Sequence, residues 1–226
     1  MNQDNSVEFF NETYKTHSLD DDVFIKTKSD FESWLDSGPK LIHCDDPVLH
    51  TLTAEIHPRM FTETELVSRA AQVLVAQLMA MKAVGIAAPQ MGLPYAMIVV
   101  PTKDDATEFL VACNPKIFEN TEPSSYTKKS TGIEGCLSYP FVQVTVSRLA
   151  RIDVDFLDIK GNPRSGSVDG FAATVWQHEF DHLMGITMQD RVTSLHWEYA
   201  KEDGKRREKK YRRKFKEMAK EKGEAA

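Results

Sequence analysis

Between residues 66 and 81 the apolar residues Leu66, Ala70, Val73, Leu74, Leu78 and Met81 recur at helical spacing, which places them on one face of an α-helix. A Thr62–Glu65 pair fits a capping box at its start, and Gly85 follows its end. The pattern then changes to short runs rich in Val, Ile and Phe, at Tyr95 to Val100, Phe109 to Cys113, Phe141 to Val146 and Arg151 to Leu157, which predict strands. Asp158, Lys160, Gly161 and Asn162 supply a turn, so the chain is expected to return as a hairpin through Arg164 to Val168. Helical spacing resumes from Gly170 to Met184, with Asp169 as N-cap and Gly185 as stop. Helix, strands and helix without regular alternation predict an α+β fold, mostly antiparallel strands packed around a central helix, the second one.

The flanks read differently. Residues 1–39 hold Phe9, Phe10, Tyr14, Phe24 and Trp34 without sustained periodicity, and are expected to form a partly ordered N-terminal extension that covers part of the body. Residues 40–195 form the expected main domain and 196–226 a basic C-terminal tail. Residues 201 to 226 carry twelve Lys or Arg against six Asp or Glu, on a chain whose net charge is −6. That asymmetry points to a polyanionic partner for the tail. No apolar run approaches the roughly 18 residues of a membrane span, and the acidic N-terminal stretch lacks the pattern of a targeting signal, so the expected compartment is the cytoplasm. Cys44, Cys113 and Cys136 are an odd number at wide spacing, which fits reduced thiols or a ligand better than a disulfide framework. Cys44 and Cys113 are read as small buried hydrophobes.

The second helix contains His178-Glu179-Phe180-Asp181-His182. Histidines four residues apart lie on one helical face and can reach one cation, while Glu179, about 100° around, can address water beside it. A catalytic tetrahedral site takes three protein ligands, so one more is needed. Met188 stands where a third histidine of the HExxHxxGxxH pattern would be. Glu198 would give a metalloendopeptidase arrangement. Cys136, in Glu134-Gly135-Cys136-Leu137-Ser138, is the better candidate, held beside a tight Gly turn. A Gly85-Ile86-Ala87-Ala88-Pro89-Gln90 segment allows close backbone approach and ends in an amide.

Taken together these three segments resemble, in order, the GxGxAAxQ, EGCLS and QHExDH motifs of the peptide deformylases. EGCLS and QHExDH are complete, and Ala83 replaces the first glycine of GxGxAAxQ. The similarity starts near Leu41, where LIHCDDPVL looks like the family's opening strand and turn, and runs to about residue 190. The resemblance implies removal of the formyl group from the N-terminal formylmethionine of nascent polypeptides. It implies one divalent metal on Cys136, His178 and His182, with iron(II) expected and zinc, nickel or cobalt as substitutes. Glu179 would move the proton, and Gln90 with the backbone N–H of Leu137 would stabilise the oxyanion. Gly85 and Gly135 are expected to line the peptide, with Val84, Phe171 and Val175 around the methionine side chain. Gln177 and Asp181 could orient the imidazoles, and Arg148 is expected to pair with an acid such as Glu134. The resemblance also suggests ribosome contact through a basic helix from about Lys205 to Lys222. A catalytically silent metal-stabilised docking domain is the alternative from another class.

Overall fold

The computed structural model describes residues 21–118 and 128–221, with side chains through residue 218. Helix α1 spans Asp21–Asp36, a short α2 spans Arg59–Glu63 and α3 spans Leu66–Met81. Strands β1 (Ile86–Ala87), β2 (Met97–Pro101), β3 (Phe109–Phe118), β4 (Lys129–Cys136), β5 (Tyr139–Leu149), β6 (Arg151–Leu157) and β7 (Pro163–Asp169) follow. Helix α4, Gly170–Leu183, carries the HExxH residues, and α5 spans Ser194–Glu221. One sheet has the order β1-β2-β3-β6-β7, and β4 and β5 form a separate ribbon. All ladder pairs are antiparallel, and this is the α+β arrangement the periodicity predicts.

Strand β2 is buried along its whole length because both faces of the sheet are covered. Met97 and Val99 face a core shared with α1, α2 and α3, while Ile98 and Val100 face a second core with Trp176 and Ala173 of α4. The pleat sends alternate side chains to opposite layers, so a continuous apolar run is what this position requires. A third, smaller core lies under α5, where Trp197 and Ala200 meet Tyr139, Val144 and Val146 of β5. The tail therefore begins as part of the body. Its expected end at Lys222 lies outside the described residues, as do Phe9, Phe10 and Tyr14.

Several local expectations need correction. The stretch before residue 39 contains a full helix, α1, which buries Phe24, Thr27, Phe31 and Trp34. Its polar Thr27 and exposed Val23 and Ile25 blur the apolar stripe, which is why periodicity misses it. The Thr62–Glu65 capping box does not form: Thr62 lies within α2, and Thr64 Oγ1 accepts the Leu66 N–H at 3.2 Å instead. The expected opening strand at Leu41 is absent, replaced by a turn and a 3-10 helix at Pro47–His50 that Asp46 caps through Val48 N–H (3.0 Å). Asp169 stands at the expected N-cap position but makes no side-chain cap hydrogen bond. The carboxylate of Asp104, remote in sequence, accepts the Ala172 N–H at 2.9 Å. Strand β3 runs on past Cys113 because a bulge between Cys113 and Lys116 absorbs Asn114 and Pro115. Strand β4 was not expected at all: it has two glycines and a mostly exposed surface, so it shows no apolar alternation. Cys113 is fully buried, whereas Cys44 is only half-buried beside His43 and Asp45.

Candidate active site

Strand β4 and helix α4 bring the chemistry together. The ribbon turns tightly from Cys136 to its partner Tyr139, and the register shifts between Gly135 and Cys136. A bulge of this kind re-aims the side chain beside it. The ligand atoms of Cys136, His178 and His182 all lie within 4.8 Å of one another. Cys136 Sγ stands 3.3 Å from His182 Nε2, and the two imidazole rings are 5.2 Å apart at 81°. A thiol and two imidazoles converging from two elements form a donor set that fits a tetrahedral divalent cation with one position open. Glu198 does not join them: it is exposed on α5 and pairs with Lys201 at 2.7 Å.

Glu134, two residues before Cys136, is the orienting group that sequence reasoning missed in that role. His178 Nδ1 lies 2.8 Å from Glu134 Oε2. Burial alone would raise the Glu134 pKa, but hydrogen bonds from Arg148 and His178 outweigh it and hold the carboxyl at about 2. An ionised carboxylate only accepts, so His178 carries its proton on Nδ1 and turns Nε2 toward the thiol. The expected Arg148–Glu134 pair is present and bidentate, with both bonds at 2.9 Å. Asp181 takes Arg148 (2.5 Å) and also Arg191, so it anchors the arginine and does not orient an imidazole. Gln177 likewise spans to β5, accepting from Leu149 N–H (3.0 Å) and donating to Leu149 O (2.9 Å).

Glu179 is buried, and its Oε2 has no hydrogen-bond partner among the described residues. Burial pushes its pKa up to about 7, with the neighbouring carboxylates adding and His178 and Arg148 opposing. Burial also lowers the His182 pKa well below its ordinary value, which favours the neutral imidazole. For His178 burial acts downward too, but the hydrogen bonds with Cys136 and Glu134 raise its pKa well above 6.5. A proton and a cation compete for that Nε2 lone pair. The segment at Gly85 passes directly over Glu179: a Cβ at Gly85 would sit 2.5 Å from Glu179 Oε1. Gln90 is buried, its Oε1 accepting the Ala87 N–H at 2.8 Å and its Nε2 donating to Cys136 Sγ at 3.3 Å. The backbone donor fixes the amide orientation and leaves one N–H of Nε2 for a further acceptor.

A cavity of about 500 Å³ opens over these groups. Gly85, Gly135, Leu137, Val84, Phe171 and Val175 line it, with Gln90, Cys136, His178 and Glu179. Phe141 and Ile133, which the sequence did not single out, line it as well. Both lie on the β4–β5 ribbon, and the unrecognised β4 concealed that placement.

The chain matches the polypeptide deformylase family over residues 39–198. It is 39% identical over 133 residues to the peptide deformylase of Prochlorococcus marinus (strain AS9601), covering 58% of this chain and 63% of that protein. It is 42% identical over 112 residues to that of Aquifex aeolicus, covering 48% and 63%. The alignments thus span just under two thirds of these relatives. Among solved structures, the peptide deformylase of Thermotoga maritima superposes with a TM-score of 0.61 at 28% identity, over 69% of this chain and 97% of that one. That of Legionella pneumophila gives 0.65 at 26% identity, over 77% and 98%. With this match extending across the thiol, both imidazoles and the carboxylate between them, the chain belongs to the polypeptide deformylase family.

Proposed function

We propose that this protein hydrolyses the N-formyl group from the N-terminal formylmethionine of nascent polypeptides and releases formate. The observation that carries the reading is the convergence of Cys136, His178 and His182 beneath a cavity bordered by Glu179 and Gln90. Cys136, His178 and His182 would hold one divalent cation, iron(II) by the family resemblance, with zinc, nickel or cobalt as substitutes. When bound, such an ion supplies Lewis acidity and lowers the pKa of water. Glu179 accepts a proton from the water that attacks the formyl carbon and returns it to the departing peptide nitrogen, because amide cleavage needs a protonated leaving group. The free N–H of Gln90 Nε2 and the backbone N–H of Leu137 donate to the formyl oxygen as it gains charge. Glu134 keeps His178 in one tautomer throughout, and Arg148 keeps Glu134 ionised. Val84, Phe171 and Val175 give the methionine side chain an apolar wall.

The test is formate release from a formylmethionyl tripeptide under anaerobic conditions, with metal content measured alongside. Glu179→Gln is expected to keep the metal and lose turnover, and Cys136→Ala to lose the metal where Glu198→Ala retains it. A metal-loaded protein that releases no formate would sink the reading.

Residues 40–195 act as the catalytic unit in this reading, with α5 as an accessory. A concave basic surface on α5 includes Lys205, Arg206, Lys209, Arg212, Arg213 and Lys216. Dense positive charge relieves its own repulsion on phosphates, which supports ribosomal RNA as a partner and the cytoplasm as the compartment. Among the described residues no helix is long and apolar enough to cross a membrane. Co-sedimentation with ribosomes at low and moderate salt checks the partner. Equal sedimentation of the full chain and a form ending at Ala200 counts against it.

A further inference from the structure

The cavity over the reacting groups does not end at its rim. Phe141 lines it and also lines a second concavity of about 420 Å³ formed with Tyr211 and Phe215 of α5. The Phe141 and Tyr211 rings are 5.5 Å apart, and Tyr211 and Phe215 are stacked at 6.4 Å. These rings face solvent, with Tyr211 58% and Phe215 63% exposed. On a helix otherwise dominated by charge, two exposed aromatic residues at (i, i+4) beside a cavity mouth call for an occupant.

Helix α5 is held in place there. Arg207 Nε donates to Phe141 O at 2.8 Å and Arg207 Nη1 to Gln143 Oε1 at 3.1 Å. Gly204 is buried against the ribbon, where a Cβ would meet Val142 Cγ2 at 3.2 Å and Phe141 O at 3.3 Å. Phe141 itself adopts φ +67°, a left-handed conformation that a bulky residue rarely takes unless its surroundings impose it. The aromatic ledge is therefore pre-positioned and needs little ordering when something binds.

We propose that Tyr211 and Phe215 extend the substrate site, so that apolar side chains downstream of the formylmethionine bind across Phe141 onto α5. This rests on the deformylase reading, since the occupant is the same peptide leaving the cavity through the Phe141 side. The two ring-to-ring steps match about four residues of extended chain, at roughly 3.3 Å each. Glu208, Arg212 and Lys216 edge the concavity; Arg212 is paired with Glu208 at 2.7 Å, so Lys216 is the cation that an acidic residue next to the apolar pair would meet. The ledge makes the protein prefer nascent chains with an early hydrophobic segment over polar ones.

The metal-loaded full chain is assayed for formate release from the tripeptide and from formylmethionyl ten-residue peptides. A Leu-Phe pair followed by Asp is walked from position 3 to position 8 of an otherwise Gly/Ser sequence. One window of registers is expected to show KM lowered about ten-fold at constant kcat, the scale of two partly buried side chains. Tyr211→Ser/Phe215→Ser is expected to abolish that window and leave the tripeptide kcat and KM unchanged. Tyr211→Leu/Phe215→Leu is expected to retain most of it, which separates lost apolar contact from a disturbed helix. Equal kcat/KM at every register, or a window that survives the Ser pair, overturns the ledge alone. Absence of formate from the tripeptide overturns both it and the deformylase reading.

Discussion

Arg148 is the residue whose removal should propagate furthest. Its side chain is only 4% exposed and lies between the carboxylates of Glu134 and Asp181, themselves 6% and 7% exposed. Arg148→Met keeps a similar apolar stem but deletes the charge. Asp181 retains Arg191, whereas Glu134 is left, among the described residues, with the His178 Nδ1–H bond. Breaking a buried ion pair by removing one partner costs about 3–5 kcal/mol, because the remaining charge loses its compensation. At about 4 kcal/mol, a protein of this length should melt roughly 8–16 °C lower. The same change frees the Glu134 carboxyl from the group that holds it ionised, so the His178 tautomer is no longer fixed. Loss of such an orienting partner typically weakens metal affinity about 10–100-fold. Both effects are measurable, by thermal unfolding of the metal-free protein and by metal titration against a chelator. Arg148→Met/Glu134→Gln removes both charges of the bidentate pair and should recover part of the lost stability while metal affinity stays low. If Arg148→Met melts within about 2 °C of wild type, or the double variant is no more stable than the single one, the network does not act as described.

Two further outcomes follow from individual positions. Gly85→Ala places a methyl group 2.5 Å from Glu179 Oε1 and 2.7 Å from Val175 Cγ1. Displacing the proton-transfer group should lower kcat about 10²-fold or more with metal content intact; a wild-type kcat would refute the close approach. Asp158 accepts the backbone N–H groups of Lys160 and Asn162 and the side chain of Arg164. Burial pushes its pKa up, but the bonds from Asn162, Arg164 and Lys160 together outweigh it and lower the pKa from 3.8 to about 2. Because the folded pKa is depressed, its stabilisation is present above pH 3.8 and is lost as pH falls through 2. The gap between wild type and Asp158→Asn should be about 2 kcal/mol at pH 6 and roughly half that at pH 3. A gap that does not shrink in denaturant titrations would contradict the assignment.

Helices α3 and α4 were legible because their apolar side chains repeat at helical spacing, and most of the large sheet because its strands are short runs rich in Val, Ile and Phe, β2 with both faces buried between two cores. The ligand set was legible because His178 and His182 are neighbours on a helix, and the thiol lies in a short motif. What escaped depends on tertiary partners. Glu134 becomes an orienting group only when α4 stands across from β4, a distance of 44 residues along the chain. The cap of α4 comes from Asp104, 68 residues away, so local reading chose Asp169. Strand β4 shows no apolar alternation because its ribbon is largely solvent-facing, and with it went the places of Ile133 and Phe141. Helix α1 was hidden by a buried threonine, whose hydroxyl is satisfied by Val23 O at 2.8 Å.

The bond that fastens α1 has a consequence in time. Trp34 Nε1 donates to Met91 O at 2.7 Å, 57 residues further along, next to the amide that reaches toward the thiol. During synthesis at roughly 5–20 residues per second, the acceptor carbonyl is made about 3–11 s after the indole. For those seconds Phe24, Phe31 and Trp34 lack the sheet residues Met97 and Val99 that share their core in the folded protein. Helix α1, the first helix among the described residues, is thus made well before the carbonyl that fastens it, and the loop that presents Gln90 gains this support from an indole already waiting.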